Sequence, residues 1–397
     1  MQSVRERDRA GERMTIKFGS PDVAVVGGGV VGLSCAFELA RRGKSVTVIE
    51  REQTGFGAST VAAGMLTPSF EVEMTSPELV ELQLDSLRRY PQFVADVEAA
   101  SGLSCDYRDE GTLWVSRHRD DELELDHLCQ IQEDRGLPAT RLTGRETRGI
   151  EPYLSPRIIG GLLVETDHQV NSRLLSTALR AACLAVGVEL VEQAGVSAVE
   201  RSAGRIALSI ESQGKSWTLQ ADQVLLAAGV WLEDGLITPL PRIGMRPIKG
   251  QIVHLSGQPL INHVLRNSDI YIVPRADGEL LLGATEEEQG FNMEPTAGGT
   301  LDLLRYAFEI LPGIYDLYVS EIDVGLRPAV SDHQPVIGPT DTEGIFIAGG
   351  HYRGGVLLAP STAHWMADLM TTGNVPTPIE PFGIDRFDGE AQQEAAG

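Results

Sequence analysis

The chain has 397 residues, with 56 acidic against 33 basic side chains, giving a formal net charge of −23 and a sequence pI near 4.7. That balance repels phosphate backbones and anionic lipid, which argues against nucleic acid and membrane surfaces as partners. With 42% hydrophobic and 22% charged residues, the composition is that of a globular protein long enough for two domains, and it excludes disorder, collagen and coiled coil.

In chain order, residues 1 to 13 alternate Arg5, Arg7, Arg9 and Arg13 with Glu6, Asp8 and Glu12 and hold no apolar region. They read as a loose tail ahead of Met14, not as a secretory signal. Asp22 to Val26 is a short β-rich run that leads through glycines into a helix from Val30 to Arg42. Gly43 stops that helix, and Ser45 to Glu50 is a second strand, completing a βαβ unit in about 30 residues. The apolar stretch from Val23 to Ala40 is broken by four glycines, Ser34 and Glu38, so it is no membrane span.

Ser76-Pro77-Glu78 opens a long amphipathic helix running to Ala100, with Ser76 as N-cap and proline in the first turn. A strand at Gly111 to Ser116, a charged helix from Asp120 to Arg135 and a loop rich in Thr, Arg and Gly follow. Ser172 to Val186 reads as a helix, and Val188 to Glu192 and Val224 to Ala228 as strands. From Gln251 the pattern is mostly β, through Tyr271 to Pro274 and Glu279 to Leu282, with Asp277-Gly278 as a hairpin turn. A helix from Thr300 to Ile310, a buried strand from Gly344 to Ala348 and a closing helix to about Met370 complete the order; residues 376 to 397 read as a strap and a frayed tail.

Four cysteines, Cys35, Cys105, Cys129 and Cys183, show neither a CxxC pair nor histidine at metal-ligand spacing, so no metal and no disulfide framework is expected. Lysine occurs only four times among 33 basic residues, a usage that salt adaptation and a GC-rich genome explain equally. The strongest motif is Gly27-Gly28-Gly29-Val30-Val31-Gly32, which satisfies GxGxxG at Gly27, Gly29 and Gly32. Gly27 permits a tight turn, Gly29 lets amides approach a pyrophosphate, and Gly32 allows helix to pack closely on strand. It follows a strand, opens a helix and has Glu50 at the end of the next strand, where a carboxylate accepts from a ribose diol. Together these predict a dinucleotide site. Gly43-Lys44-Ser45 mimics the end of a P-loop, but Glu38 stands where its first glycine belongs.

Several separated segments narrow the dinucleotide. Gly57 to Leu66 (GASTVAAGML), Arg246 to Gln251 (RPIKGQ), Gly325 to Pro328 (GLRP), Gly350 to Arg353 (GHYR) and Gly355 to Pro360 (GVLLAP) occur in that order. In these segments, over about Asp22 to Met370, the chain resembles the glycine oxidases of the D-amino-acid oxidase family. The resemblance implies FAD and a mixed fold, α/β plus α+β. A discontinuous Rossmann-like FAD-binding domain (15–80, 150–232, 325–380) would face a substrate domain with a mixed antiparallel sheet (81–149, 233–324), flanked by tails at 1–14 and 381–397.

Residue by residue, the resemblance makes Gly27, Gly29, Val30, Val31, Gly32, Glu50 and Arg51 ligands of the ADP half of FAD. Ser59 and Thr60 lie on the pyrophosphate side, with Ala63, Gly64 and Met65 following. Val196 meets the adenine through its backbone, and Ala228, Gly229 and Trp231 close over the cofactor. His351, Arg353, Gly354, Gly355, Val356 and Leu357 border the flavin, where a helix N-terminus stabilises the negative charge of its reduced form. Arg327 and Tyr271 take the substrate carboxylate, and Arg327 also borders the flavin. Arg353 is either a direct contact or a packing residue. The chain has Arg353-Gly354-Gly355 where the better-known pattern reads Arg-Asn-Gly, and Glu286 at an often apolar position. Pointing inward, Glu286 would favour a cationic amine; pointing outward, it is one more surface acid. Glu71 would border the entrance.

The implied activity is oxidative deamination of glycine and other small primary or secondary amino acids. Hydride passes to flavin without a catalytic protein base, and oxo-acid, ammonia or amine and hydrogen peroxide are formed. The alternative is a sarcosine or D-amino-acid oxidase, or a dehydrogenase with another electron acceptor. A flavin-binding protein without turnover has no use for a carboxylate clamp, and an NAD enzyme would be colourless. No cysteine follows Cys183, so FAD is expected to be non-covalent. The resemblance further implies a cytoplasmic homo-oligomer with a role in thiamine biosynthesis.

Overall fold

The computed structural model describes residues 19–68, 76–202, 204–233 and 243–387. Met14 and the tail before it, Glu71, and residues 388–397 lie outside the described residues. In chain order, the first part holds β1 (Val23–Val26), α1 (Val30–Arg41), β2 (Val46–Ile49), α2 (Ala58–Val61), β3 (Met65–Leu66), α3 (Pro77–Ser101) and β4 (Thr112–Ser116). There follow α4 (Arg119–Asp134), β5 (Thr140–Thr143), α5 (Gly144–Ile150), β6 (Gly160–Val164), β7 (His168–Gln169), α6 (Ser172–Ala185), β8 (Glu189–Val191) and β9 (Gly195–Ser202). Next come β10 (Arg205–Ser212), β11 (Lys215–Ala221), β12 (Gln223–Leu226), β13 (Arg246–Ser256), β14 (Val264–Arg266), β15 (Tyr271–Pro274) and β16 (Leu280–Gly283). The chain closes with α7 (Ala297–Ile310), β17 (Tyr318–Ala329), β18 (Val336–Pro339), β19 (Ile345–Gly349) and α8 (Gly355–Thr372).

Two large sheets organise the molecule. The first has the order β18-β19-β12-β1-β2-β8, parallel except at its β18 edge. Strands β1 and β19 are apolar at every position because both faces are covered. Val23 and Val25 pack on α1, α3, α6 and α8, while Ala24 and Val26 pack under the antiparallel β9-β10-β11 sheet. The second sheet runs β17-β13-β16-β15-β14-β4-β6-β5 and is antiparallel except for the β14–β4 pair. Val253, Leu265, Ile272 and Leu282 on one face meet Leu303, Ala307 and Ile310 of α7. On the opposite face Ile252, Val264, Val273 and Leu281 pack with Ala63, and farther along Trp114 and Leu162 pack under α4.

The long helix begins as expected: Ser76 Oγ accepts from Leu79 N at 3.2 Å, proline follows, and Gly102 ends it in the left-handed region. Other expectations are corrected. The Thr/Arg/Gly-rich loop contains β5 and α5, the latter capped reciprocally by Thr143 and Glu146, a T-x-x-E signature. β13 and β17 form an 11- and 12-residue pair whose internal Pro247, Gly250, Gly325 and Pro328 disguise it as broken sequence. The start of the expected tail at 381–397 is packed, with Phe382, Ile384 and Phe387 buried, as is Ile379 in the strap. Helix α3 lies against α6 and α8 beside the first sheet, β6 belongs to the second, and β17 begins at Tyr318. The chain therefore changes sheets at other points than the expected residues 81, 150 and 325.

Candidate active site

A cavity of about 690 Å³ lies between the two sheets. Its first end is made of main chain. Gly27 turns at φ +105°, a conformation that side chains rarely adopt, and a Cβ there would meet the Ala227 carbonyl carbon at 2.7 Å. A Cβ on Gly32 would collide with the Gly27 carbonyl oxygen, so this third glycine seats α1 on the turn and does not itself line the cavity. Helix α1 starts at Gly29 without a cap from that residue, and Ser59 Oγ accepts from Val30 N at 2.9 Å. Glu50 accepts from Gly28 N at 2.7 Å and from Glu52 N at 2.9 Å, which fixes its carboxylate at the cavity wall. Farther out, the Arg51 guanidinium lies 3.5 Å from the Trp231 ring centroid.

The middle of the cavity is the N-terminus of α8. Pro360 sits inside this helix and has no N–H for the Val356 carbonyl one turn earlier. Tyr90 of α3 fills the gap, donating its hydroxyl to Val356 O at 2.8 Å. Ser86 bridges the next rung, donating to Leu357 O at 2.6 Å and accepting from Ser361 N at 3.2 Å. Helix α3 thus mends the ladder that proline interrupts and fixes the turn whose Gly355, Val356 and Leu357 line the cavity. His351 donates to or accepts from Thr362 Oγ1 at 3.0 Å, and burial depresses its pKa to about 4, leaving it neutral.

The far end is made of side chains lying over glycine. Arg327 shares the cavity face of the second sheet with Gly250, and a Cβ there would come within 2.6 Å of the Arg327 Cζ. Gly283 likewise pairs with Tyr271, and a Cβ on it would come within 2.5 Å of the phenol Cζ. The two glycines leave the room in which the guanidinium and the ring lie. Arg327 donates to the carbonyls of Thr285 at 3.1 Å and Lys249 at 3.4 Å, and among the described residues no carboxylate pairs with it. Burial pushes the Tyr271 phenol pKa up, against the charges of Arg327, Arg266, Arg353 and Arg275. Glu286 also lines the cavity, where it accepts from the Tyr352 hydroxyl and pairs with Arg353. Burial favours protonation of Glu286, but the Tyr352 bond and the Arg353 charge outweigh it and hold the carboxyl below its usual range. Glu286 therefore sits exposed at the cavity rim with its charge already matched by Arg353.

Of the expected site residues, the cavity wall holds Arg327, Tyr271, Arg353 and Glu286 at the far end. It also holds Gly27, Gly29, Val30, Val31, Glu50, Arg51, Ser59, Ala63, Gly64, Met65, Val196, Ala228, Gly229, Trp231, His351, Gly354, Gly355, Val356 and Leu357. Gly32 and Thr60 are not in it; the Thr60 hydroxyl turns back to Gly57 O at 3.2 Å. Sequence reasoning missed Arg266, Gly250, Gly283, Tyr90 and Ser86. Pro360 within the last helix was a readable sign that a donor must come from elsewhere.

Residues 22–369 match the model of the family described as DAO, FAD dependent oxidoreductase. A bifunctional protein ThiO/ThiG from Trichormus variabilis is 33% identical over 93% of this chain and 56% of its own length. The chain thus spans about half the length of that relative. A solved glycine oxidase from Geobacillus kaustophilus is 30% identical, covering 92% of this chain and 99% of its own, with a TM-score of 0.85. An iminodiacetate oxidase from Chelativorans sp. BNC1 is 26% identical over 91% and 98%, with a TM-score of 0.81.

Proposed function

The chain belongs to the DAO family of FAD dependent oxidoreductases, and from that premise we propose that it oxidises the C–N bond of glycine and other small amino acids. The observation that carries this reading is Arg327, a cation at the cavity wall whose hydrogen bonds go to main-chain carbonyls and with which no carboxylate among the described residues forms an ion pair. A planar guanidinium with that freedom binds a substrate carboxylate in a fixed orientation. Tyr271, beside it, adds a phenol that burial keeps protonated and able to donate.

The residues present fit FAD. The glycine turn, Glu50 and Ser59 would hold the ADP half, because an anion suits the α1 N-terminus and the Glu50 carboxylate suits a diol. The α8 N-terminus would stabilise negative charge on the isoalloxazine. None of the four buried cysteines lines the cavity, which supports non-covalent binding. The chemistry that bound FAD supplies is two-electron acceptance: the substrate gives up a hydride equivalent from Cα, water hydrolyses the imino acid to oxo-acid and ammonia, and dioxygen takes the electrons and becomes hydrogen peroxide.

This chain's own part is orientation. Arg327 and Tyr271 anchor the carboxylate, and neutral His351 keeps a competing charge away from the α8 turn. No protein base is required. The reading includes a FAD-binding domain on the first sheet and a substrate domain on the second, a cytoplasmic homo-oligomer, and a role in thiamine biosynthesis. The test is the visible spectrum of the protein under nitrogen before and after adding glycine. Bleaching of a yellow flavin spectrum is the expected result; a flavin spectrum untouched by glycine and sarcosine alike overturns the substrate, and no flavin after reconstitution overturns the cofactor.

A further inference from the structure

Arg327 reaches its carbonyl partners by crossing a strand. It leaves β17 opposite Ile248 of β13, and its head group lies over Gly250. It then donates to Thr285 O at 3.1 Å on the far side of β13, and to Lys249 O at 3.4 Å. Where the guanidinium stops is therefore set by residues 285–287, the segment that follows β16, and not by β17 alone.

That segment is pinned from behind the sheet. Lys249 and Glu287 form an antiparallel bridge, with Glu287 N donating to Lys249 O at 2.9 Å and Lys249 N to Glu287 O at 3.0 Å. On β13, Lys249 and Gln251 alternate with Gly250, so their side chains leave the face opposite the cavity, the one that α7 covers. There the Glu287 carboxylate accepts from Thr285 Oγ1 at 2.7 Å and from the Gln251 amide, and it lies 3.6 Å from the Lys249 ammonium. Gln251 is itself held by Thr296, the N-cap of α7, accepting from its N–H at 2.8 Å and donating to its hydroxyl at 2.9 Å. Lys249 is wholly buried and also donates to Gln289 Oε1 at 3.0 Å and Glu294 O at 2.6 Å.

Burial favours the neutral acid at Glu287, but the Thr285 hydroxyl, the Gln251 amide and the Lys249 charge outweigh it and hold the carboxyl below its usual range. Lys249, Gln251 and Glu287 do not line the cavity, so the network is not itself a ligand site. A buried polar network with its members satisfied holds one arrangement, and removing the anion leaves the ammonium uncompensated and the segment free to shift. Small displacements of an orienting group are costly to a reaction that depends on placement.

We propose that Glu287 is a positioning residue for the substrate carboxylate: it holds the hydroxyl of Thr285, whose carbonyl receives Arg327, and so fixes where the guanidinium meets the substrate. This rests on the reading of Arg327 given above and extends it to a residue behind the sheet. Glu287 touches neither substrate nor cofactor; it acts through Thr285.

The experiment compares the flavin-loaded parent with Glu287→Ala, Glu287→Gln, Thr285→Val and Thr285→Ser. Two quantities are read: the glycine concentration that half-saturates anaerobic flavin bleaching, and the Kd of acetate from its perturbation of the flavin spectrum, which isolates carboxylate binding from chemistry. Glu287→Ala and Thr285→Val should raise both tenfold or more. Glu287→Gln keeps an acceptor for the Thr285 hydroxyl and Thr285→Ser keeps the hydroxyl, so each should recover most of the loss. In an Arg327→Ala background, Glu287→Ala should change glycine bleaching less than twofold further, because the group it positions is gone. If Glu287→Ala does not fold, Thr285→Val with its serine rescue carries the test. Parent-like affinities in the variants, or equal losses with and without Arg327, overturn the positioning role and leave amino-acid oxidation standing. If neither glycine nor sarcosine bleaches the parent but acetate still binds, and binds tenfold more weakly in Thr285→Val, the positioning role stands without that activity. If acetate does not bind the parent either, both readings fall.

Discussion

The two ends of the cavity are built from different materials. At the parallel sheet the wall is main chain: a glycine turn, the start of α1 and the mended start of α8 present amides and carbonyls, with Glu50 and Ser59 held by backbone N–H groups. At the antiparallel sheet it is side chain: Arg327, Tyr271 and Arg266 project from three strands, the first two lying beside glycines on neighbouring strands. A main-chain wall suits a ligand that is the same in every turnover, because its geometry depends on a few contiguous residues. A side-chain wall suits a variable ligand, because one substitution alters its charge without disturbing the ladder beneath.

Removing a head group at the side-chain end should separate the two most widely. Arg327→Ala is expected to lower kcat/KM for glycine by roughly 10²–10³, the loss of about 3–4 kcal/mol for one partner of a carboxylate pair. Flavin content should be unchanged, and steady-state kinetics with the visible spectrum checks both. Added methyl groups divide the ends in the same way. Gly250→Ala should displace the Arg327 head group and cost roughly 10–100-fold in kcat/KM with flavin retained. Gly32→Ala should instead destabilise the protein by about 1–3 kcal/mol and lower its flavin content. Equal flavin loss in both variants would erase the distinction.

The two sheets should also fail at opposite ends of the pH scale. On β13, burial opposes a charged His254, but Asp323 and Glu279 outweigh it and raise its pKa to about 9. A folded value above the ordinary 6.5 means that this stabilisation is complete below about pH 6.5 and is lost as pH rises through 9. Urea unfolding should show His254→Gln weaker than the parent by about 2 kcal/mol at pH 6, with the gap closing by pH 10. Beside the first sheet, Arg180 is the main partner that lowers Glu192 to about 2, with help from Thr54. Here the folded value lies below the ordinary 4.5, so the stabilisation is complete above about pH 4.5 and is lost as pH falls toward 2. Glu192→Gln should cost about 1–2 kcal/mol at pH 7, discounted for the solvent that reaches the pair, and little at pH 2. The smallest effect is expected from Tyr90→Phe, which orphans the Val356 carbonyl and costs about 1 kcal/mol in thermal or urea unfolding. A shift in flavin reduction potential with it would tie α3 to the cofactor end.

The βαβ unit, its glycine turn and Glu50 were legible from sequence because the interactions that fix them are local: Gly27, Gly32 and Glu50 meet within one turn and one strand. Ser76 with Pro77, and the glycine after the long helix, were legible for the same reason. Arg327 and Tyr271 could be named only through resemblance, since nothing near them in sequence distinguishes an anchoring arginine from a structural one. That Gly250 and Gly283 make room for them depends on the register of β13 with β17 and of β15 with β16. The pairing of Glu286 at the cavity rim depends on Arg353, 67 residues away. Arg266 acquires a cavity to line only when β14 is laid between β15 and β4. Chain chemistry over a few residues determined the cofactor end, because backbone conformation and capping act over one or two turns. The substrate end was decided by tertiary structure, because strand register alone brings charges from distant segments onto one face.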